Sequence, residues 1–240
     1  MHKRIRGQAL YRLNKIARVY IDLMGVRSSK AVDPVVSRRY SSESEAMLVV
    51  RRRPHMVNGG GFVVSNSKQQ VVFTVDGCGV LGTKAKLVLK NGDGNDLLLI
   101  RKMGGMVQAL NMVHKKWEGF GYDKEGTEKL LFTLKDPKES CLVQHGLIRI
   151  LVHGKPKIST CNIYNNNYVQ IRGSFAERDC NIMDSDGRNI AQVRIEKEME
   201  EMVGNKKDLY NIIVKANVDQ AFIVGVIAVL DYIHGESTIC

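Results

Sequence analysis

From Ala221 to Leu230 the chain reads AFIVGVIAVL, ten residues without a polar side chain among them. A helix of this composition has no face suited to water and must be enclosed on every side. Asp219 stands where an N-cap belongs and Gly235 where a helix C-terminus favours glycine, so the spacing predicts a helix over 219–233. A membrane span needs about 20 apolar residues, and Asp231 ends this run after ten. The rest of the chain must therefore build a container for it.

Strand-length runs supply the walls. AMLVVRR, FVVSN, QVVFTVD, AKLVLKN, DLLLIRK, KLLFTLK, LIRILVH, YVQIRGSF, DCNIMD, NIAQVRIEKE and DLYNIIVKA follow one another from Ala46 onward. In QVVFTVD and NIAQVRIEK alternate residues are apolar, as a sheet with one wet face requires. Between runs lie Asn, Asp and Gly, as in LVLK-NGDGN-DLLLI and CNIM-DSDG-RNIAQV, with FVVS-NSKQ-QVVFTV a weaker copy. No helical stretch separates the runs, so the pairing is antiparallel. About a dozen strands some 4.8 Å apart and tilted about 40° close into a cylinder roughly 24 Å across. Inward side chains then leave a bore near the 10–12 Å width of one helix. The expectation is an all-β protein, an antiparallel barrel of roughly twelve strands around a buried C-terminal helix.

Charge divides the chain differently. The formal net charge is +11, but residues 1–40 hold ten Lys/Arg against Asp22 and Asp33 and contribute +8 of it. The body is close to neutral, which disfavours nucleic acid as a partner. Residues 1–45 read as a basic leader and linker, 46–235 as the barrel and 236–240 as a short tail. Within the leader, Leu10, Leu13, Ala17, Tyr20 and Met24 recur at helical spacing, with Arg12, Lys15 and Arg18 largely off that stripe. Three readings stay open: an organelle transit peptide processed near Ser41, a helix lying on an anionic membrane, and a disordered tail. The first makes the protein mitochondrial; the others leave it cytoplasmic or membrane-peripheral.

Little in the sequence points to catalysis. The five cysteines, Cys78, Cys141, Cys161, Cys180 and Cys240, are scattered and never form C-x-x-C, against both a disulfide framework and a zinc ribbon. Gly77-Cys78-Gly79-Val80-Leu81-Gly82 has dinucleotide-loop spacing, but the strand run TKAKLVLKN follows where a phosphate-binding helix would be needed. Asn91, Asp93 and Asn95 begin like a calcium loop, yet Asp96 and Lys102 occupy its glycine and glutamate positions. These segments read as turns, and no cofactor or metal is expected.

The stretch YVQIRGSFAERDCNIMDSDGRNIAQVRIEK (168–197) resembles the signature of the LURP-one-related family. GGFVVSNSKQQVVFTVD, HKKWEGF with Trp117, and VDQAFIVGVIAVLDYI are similar to that family's hairpin, middle segment and final helix. The chain departs in the first strand, where Arg51, Arg52, Arg53 and Pro54 replace the family's Trp-Lys-Ser, and at Gly77-Cys78, where Asn-Tyr is usual. The resemblance implies a barrel shared with the tubby C-terminal domain and the phospholipid scramblases, in a mainly plant family linked with pathogen defence. It implies a regulatory or membrane-peripheral binding module, or a scramblase-like lipid-handling protein. An enzyme with an unrecognised site is the remaining class. Tubby-like relatives contact phosphoinositides through surface basic residues, though no local motif carries those positions over.

The residues expected to meet an anionic lipid are Arg12, Lys15 and Arg18 in the leader, Arg51, Arg52 and Arg53 in the first strand, and the pair Lys115–Lys116. Protein partners are the other class of ligand. The chain is expected to act as a monomer.

Overall fold

The computed structural model describes residues 34–54, 60–77, 85–104, 116–123, 125–135, 148–153, 168–195 and 208–234. Twelve strands run in order: β1 (Ala46–Arg52), β2 (Phe62–Asn66), β3 (Val71–Asp76), β4 (Lys86–Asn91), β5 (Asp96–Met103), β6 (Lys116–Tyr122), β7 (Glu128–Lys135), β8 (Ile148–Val152), β9 (Tyr168–Ser174), β10 (Asp179–Met183), β11 (Asn189–Arg194) and β12 (Leu209–Val214). Each pairs antiparallel with its sequence neighbours, and β1 pairs with β12 as well as β2, closing the barrel. Eleven of these strands coincide with the apolar runs; β6, KWEGFGY, does not read as one.

Helix α1 (Gln220–Ile233) lies inside, with 12 of its 14 residues buried. The alternation of each strand turns one set toward it, for example Leu48 and Val50, Leu87 and Leu89, and Leu98 and Ile100, all at most 1% exposed. Asp219 caps α1 by accepting from the Phe222 N–H at 3.2 Å. Its second oxygen accepts from Val36 N–H at 2.6 Å and Ser37 N–H at 3.0 Å. One carboxylate thus ties the segment ahead of β1 to the helix start. Burial pushes the Asp219 carboxyl above its ordinary range, against the pull of those backbone donors. Val35, Val36 and Tyr40 pack on the core, and Pro34–Cys240 form one compact unit.

The two ends of the barrel differ. At the end where α1 begins, four hairpins share one turn. Asn66, Asn91, Asp123 and Asp184 each use a side-chain oxygen to accept from the N–H groups two and four residues on, at 2.8–3.0 Å. The fourth residue of each turn has a left-handed φ: Gln69 at 61°, Gly94 at 87°, Gly126 at 79° and Gly187 at 77°. Only the first is not glycine, which is why NSKQ looked like the weak copy. At the other end α1 finishes among aromatics, with Tyr232 edge-on to Trp117 at 4.6 Å and His234 5.7 Å from Phe175. There the buried Arg178 guanidinium lies 4.4 Å from both the Phe175 and Tyr210 rings.

Candidate functional site

The arginine run at the end of β1 separates into three roles. Arg51 points outward, is exposed, and has no ion-pair partner among the described residues. Arg52 Nη1 meets Asp208 Oδ1 at 2.8 Å, bracing β1 against the start of β12. Arg53 Nη2 donates to the Val75 carbonyl and to Asp76 Oδ1, both at 2.7 Å, while Lys90 Nζ meets the other Asp76 oxygen at 2.8 Å. Burial works to raise the Asp76 carboxyl, but the hydrogen bonds from Arg53 and Lys90 outweigh it and hold the group below its ordinary value. Gly61 makes this reach possible. Its φ is +90°, and a Cβ there would fall 2.1 Å from the Val75 oxygen and 2.8 Å from Arg53 Nη2.

Lys116 Nζ meets Glu118 Oε1 at 2.6 Å. It lies on β6, five strands from β1 around the wall, so the structure does not bring it together with Arg51–Arg53. Arg12, Lys15, Arg18 and Lys115 lie outside the described residues. Two further cations went unremarked in the sequence. Arg149 on β8 and Arg172 on β9 are exposed on the outer face, and neither has an ion-pair partner among the described residues. Arg149 lies opposite Gln170, two residues from Arg172, and its guanidinium sits 5.3 Å over the Tyr168 ring. The alternation of LIRIL and YVQIR already placed both on the wet face, which was the available signal.

Beside the N-terminus of α1 is an open cleft of ≈ 450 Å³ lined by Arg39, Tyr40, Ser42, Phe73, Asn91 and Gln220. Tyr40 forms one wall, its ring 5.5 Å from Phe73. Asp93 also borders this space, so the cleft presents mixed charge and hydroxyl groups to solvent. In the turns at Asn91 and Asp184 one side-chain oxygen accepts two backbone N–H groups, the bonding that holds the turn closed. Of the segment with dinucleotide-loop spacing, Cys78, Gly79, Val80, Leu81 and Gly82 lie outside the described residues. Cys180 is a free, buried thiol, pushed up to about 12 by burial, and so an inert core group. The other four cysteines lie outside the described residues.

A twelve-stranded antiparallel barrel closed on a buried C-terminal helix defines the class of protein by its fold. The LURP-one-related family model matches residues 46–231, and the chain belongs to that family. It is 81% identical over 218 residues to protein LURP-one-related 16 of Arabidopsis thaliana, covering 90% of this chain and 100% of that one. With protein LURP-one-related 6 of the same plant it shares 53% over 206 residues, 86% of this chain and 98% of the relative. An X-ray structure of an Arabidopsis thaliana protein shares the fold at a TM-score of 0.54 and 23% identity, covering 84% of this chain and 97% of that one.

Proposed function

We propose that this protein is a non-catalytic, membrane-peripheral module with a regulatory, defence-linked role, drawn to anionic lipid chiefly by its N-terminal region. The observation that carries this is where the uncompensated charge lies. Residues 1–40 hold a net +8 of the chain's +11. On the barrel, Arg52, Arg53 and Lys116 are matched by Asp208, Asp76 and Glu118. Arg149 and Arg172, on adjacent strands, provide one secondary contact on the wall, and Arg51, four strands from β9, a separate one. Among the described residues no helix is long and apolar enough to cross a membrane, so this reading relies on surface attraction. Each basic residue near an anionic bilayer contributes about 1 kcal/mol, and salt screens it.

Sedimentation with vesicles tests this. Full-length protein should bind phosphatidylserine-containing vesicles in a salt-sensitive way and ignore pure phosphatidylcholine. Replacing Arg12, Lys15 and Arg18 together by Glu should weaken binding on the order of a hundredfold or more. Arg51→Glu should weaken it several-fold at most. Unchanged binding by the triple variant moves the lipid contact onto the barrel; no binding by the parent protein ends the proposal.

A further inference from the structure

We infer that Gly25 is an N-myristoylation site, used when translation starts at Met24. Residues 24–29 read Met-Gly-Val-Arg-Ser-Ser, the full acceptor pattern Met-Gly-x-x-x-Ser/Thr. That pattern acts only at the start of a chain, where removal of the methionine exposes the glycine amine. The comparison with the 81%-identical relative supplies an independent pointer to such a start. The relative is matched over 100% of its length by 90% of this chain, and the unmatched tenth is about as long as the 23 residues before Met24. The family model runs to residue 231 and leaves at most nine residues after it, so most of the unmatched part is N-terminal.

The chemistry is a simple acyl transfer. The Gly25 amine attacks the carbonyl of a myristoyl-coenzyme A thioester, the carbon–sulfur bond breaks as the amide forms, and the thiol leaves with the proton the amine gives up. One such chain binds membranes marginally and reversibly, and stable attachment needs a second signal such as basic residues. Arg27, Lys30, Arg38 and Arg39, against Asp33 alone, supply it. In this form the acyl chain takes over from the apolar stripe at 10–24 and from Arg12, Lys15 and Arg18, which the shorter form lacks, so the inference rests on the membrane-peripheral reading for its purpose, though not for the modification itself. The structure fixes where the tether enters the fold. Asp219 holds Val36 and Ser37, and an isolated bridge joins Ser41 to Asp219, all beside the start of α1. Eight residues lie between Gly25 and Pro34, a covalent reach of about 30 Å.

The test uses the full coding sequence expressed in plant cells with a C-terminal tag. The N-terminal peptide is read by mass spectrometry and acylation by an alkyne-myristate label. The expected result is a blocked peptide starting at Gly25 and carrying the acyl mass. Gly25→Ala and Met24→Ala should each abolish the label. The membrane-bound share of the Gly25→Ala protein should fall about tenfold or more, with its melting temperature unchanged. An N-terminus at Met1 or near Ser41 in all molecules, a free amine on Gly25, or label persisting in Met24→Ala overturns the inference. Bacterially made full-length protein, which lacks the acyl group, tests the charge-based reading by vesicle sedimentation, so either idea can fail without the other.

Discussion

Phe132 on β7 lies with its ring over Gly119, the residue directly opposite on β6, so that a Cβ on the glycine would fall 2.2 Å from the ring. The same ring meets Phe222 of α1 edge-on at a centroid distance of 5.7 Å. The glycine is therefore a recess in the wall that admits an aromatic between wall and helix. Gly119→Ala should cost about 2 kcal/mol through overpacking, and Phe132→Ala about 3–5 kcal/mol through the cavity it leaves. Combining Gly119→Ala with Phe132→Leu should cost less than the sum of the two. Urea denaturation of the parent, Gly119→Ala, Phe132→Ala, Phe132→Leu and the Gly119→Ala/Phe132→Leu double variant measures these costs, and an unchanged midpoint for Gly119→Ala would refute the recess.

The Arg53–Asp76–Lys90 cluster predicts a pH dependence. Because the folded Asp76 carboxyl titrates below its ordinary value of 3.8, its stabilisation is fully present above that value and is lost as pH falls through the folded one. Asp76→Asn should lower stability by about 2 kcal/mol at neutral pH, with the gap to the parent closing in acid. A gap that stays constant down to the acid limb would show that the charge is not what matters.

The four like turns allow a controlled comparison of backbone cost. Gln69 occupies a left-handed position at φ 61° that glycine fills in the other three. Gln69→Gly should raise stability by up to about 1 kcal/mol. Gly126→Ala should lower it by about 1 kcal/mol, and since a Cβ there meets nothing within 4 Å, the loss is conformational and not steric. Thermal melts that rank the two substitutions in the opposite order would contradict the turn assignment.

Asp219→Ala removes the cap of α1 and the acceptor for Val36 and Ser37 together. A lost cap alone costs about 1 kcal/mol. The added effect should be local: tryptic cleavage after Arg38 and Arg39 should quicken several-fold in protein that is still folded, as the segment comes free. Equal cleavage rates would mean that the apolar packing of Val36 and Tyr40 holds it without the carboxylate.

Most of this architecture was legible because alternation and the α1 run are dictated by burial, which sequence records directly. Strand β6 was not, and the reason is physical. Its Gly119 and Gly121 are chosen by what lies across from them, the Phe132 ring and the Leu131 side chain, and not by strand preference. The arginine run shows the same limit. Arg51, Arg52 and Arg53 look alike in sequence, yet two of them are committed to Asp208 and Asp76, partners 156 and 23 residues away. Local pattern carries no information on such distant pairings, so it marks where charge lies but not which charge remains free.

The helix that fills this barrel is also the last part of the fold to be synthesised, since residues 220–233 follow all twelve strands. At about 5–20 residues per second, roughly 10–40 s pass between the appearance of β1 and the completion of α1. Throughout that time the inward side chains, from Leu48 to Val214, have nothing to enclose, and β1 has no β12 to pair with. Closure of the barrel around its core must therefore wait until α1 has been made, and until then the inward faces of the wall stay uncovered. A chain broken off even a few turns early would present a dozen apolar strand faces and no centre, so cellular quality control should see truncation at the C-terminus far more clearly than loss at the N-terminus.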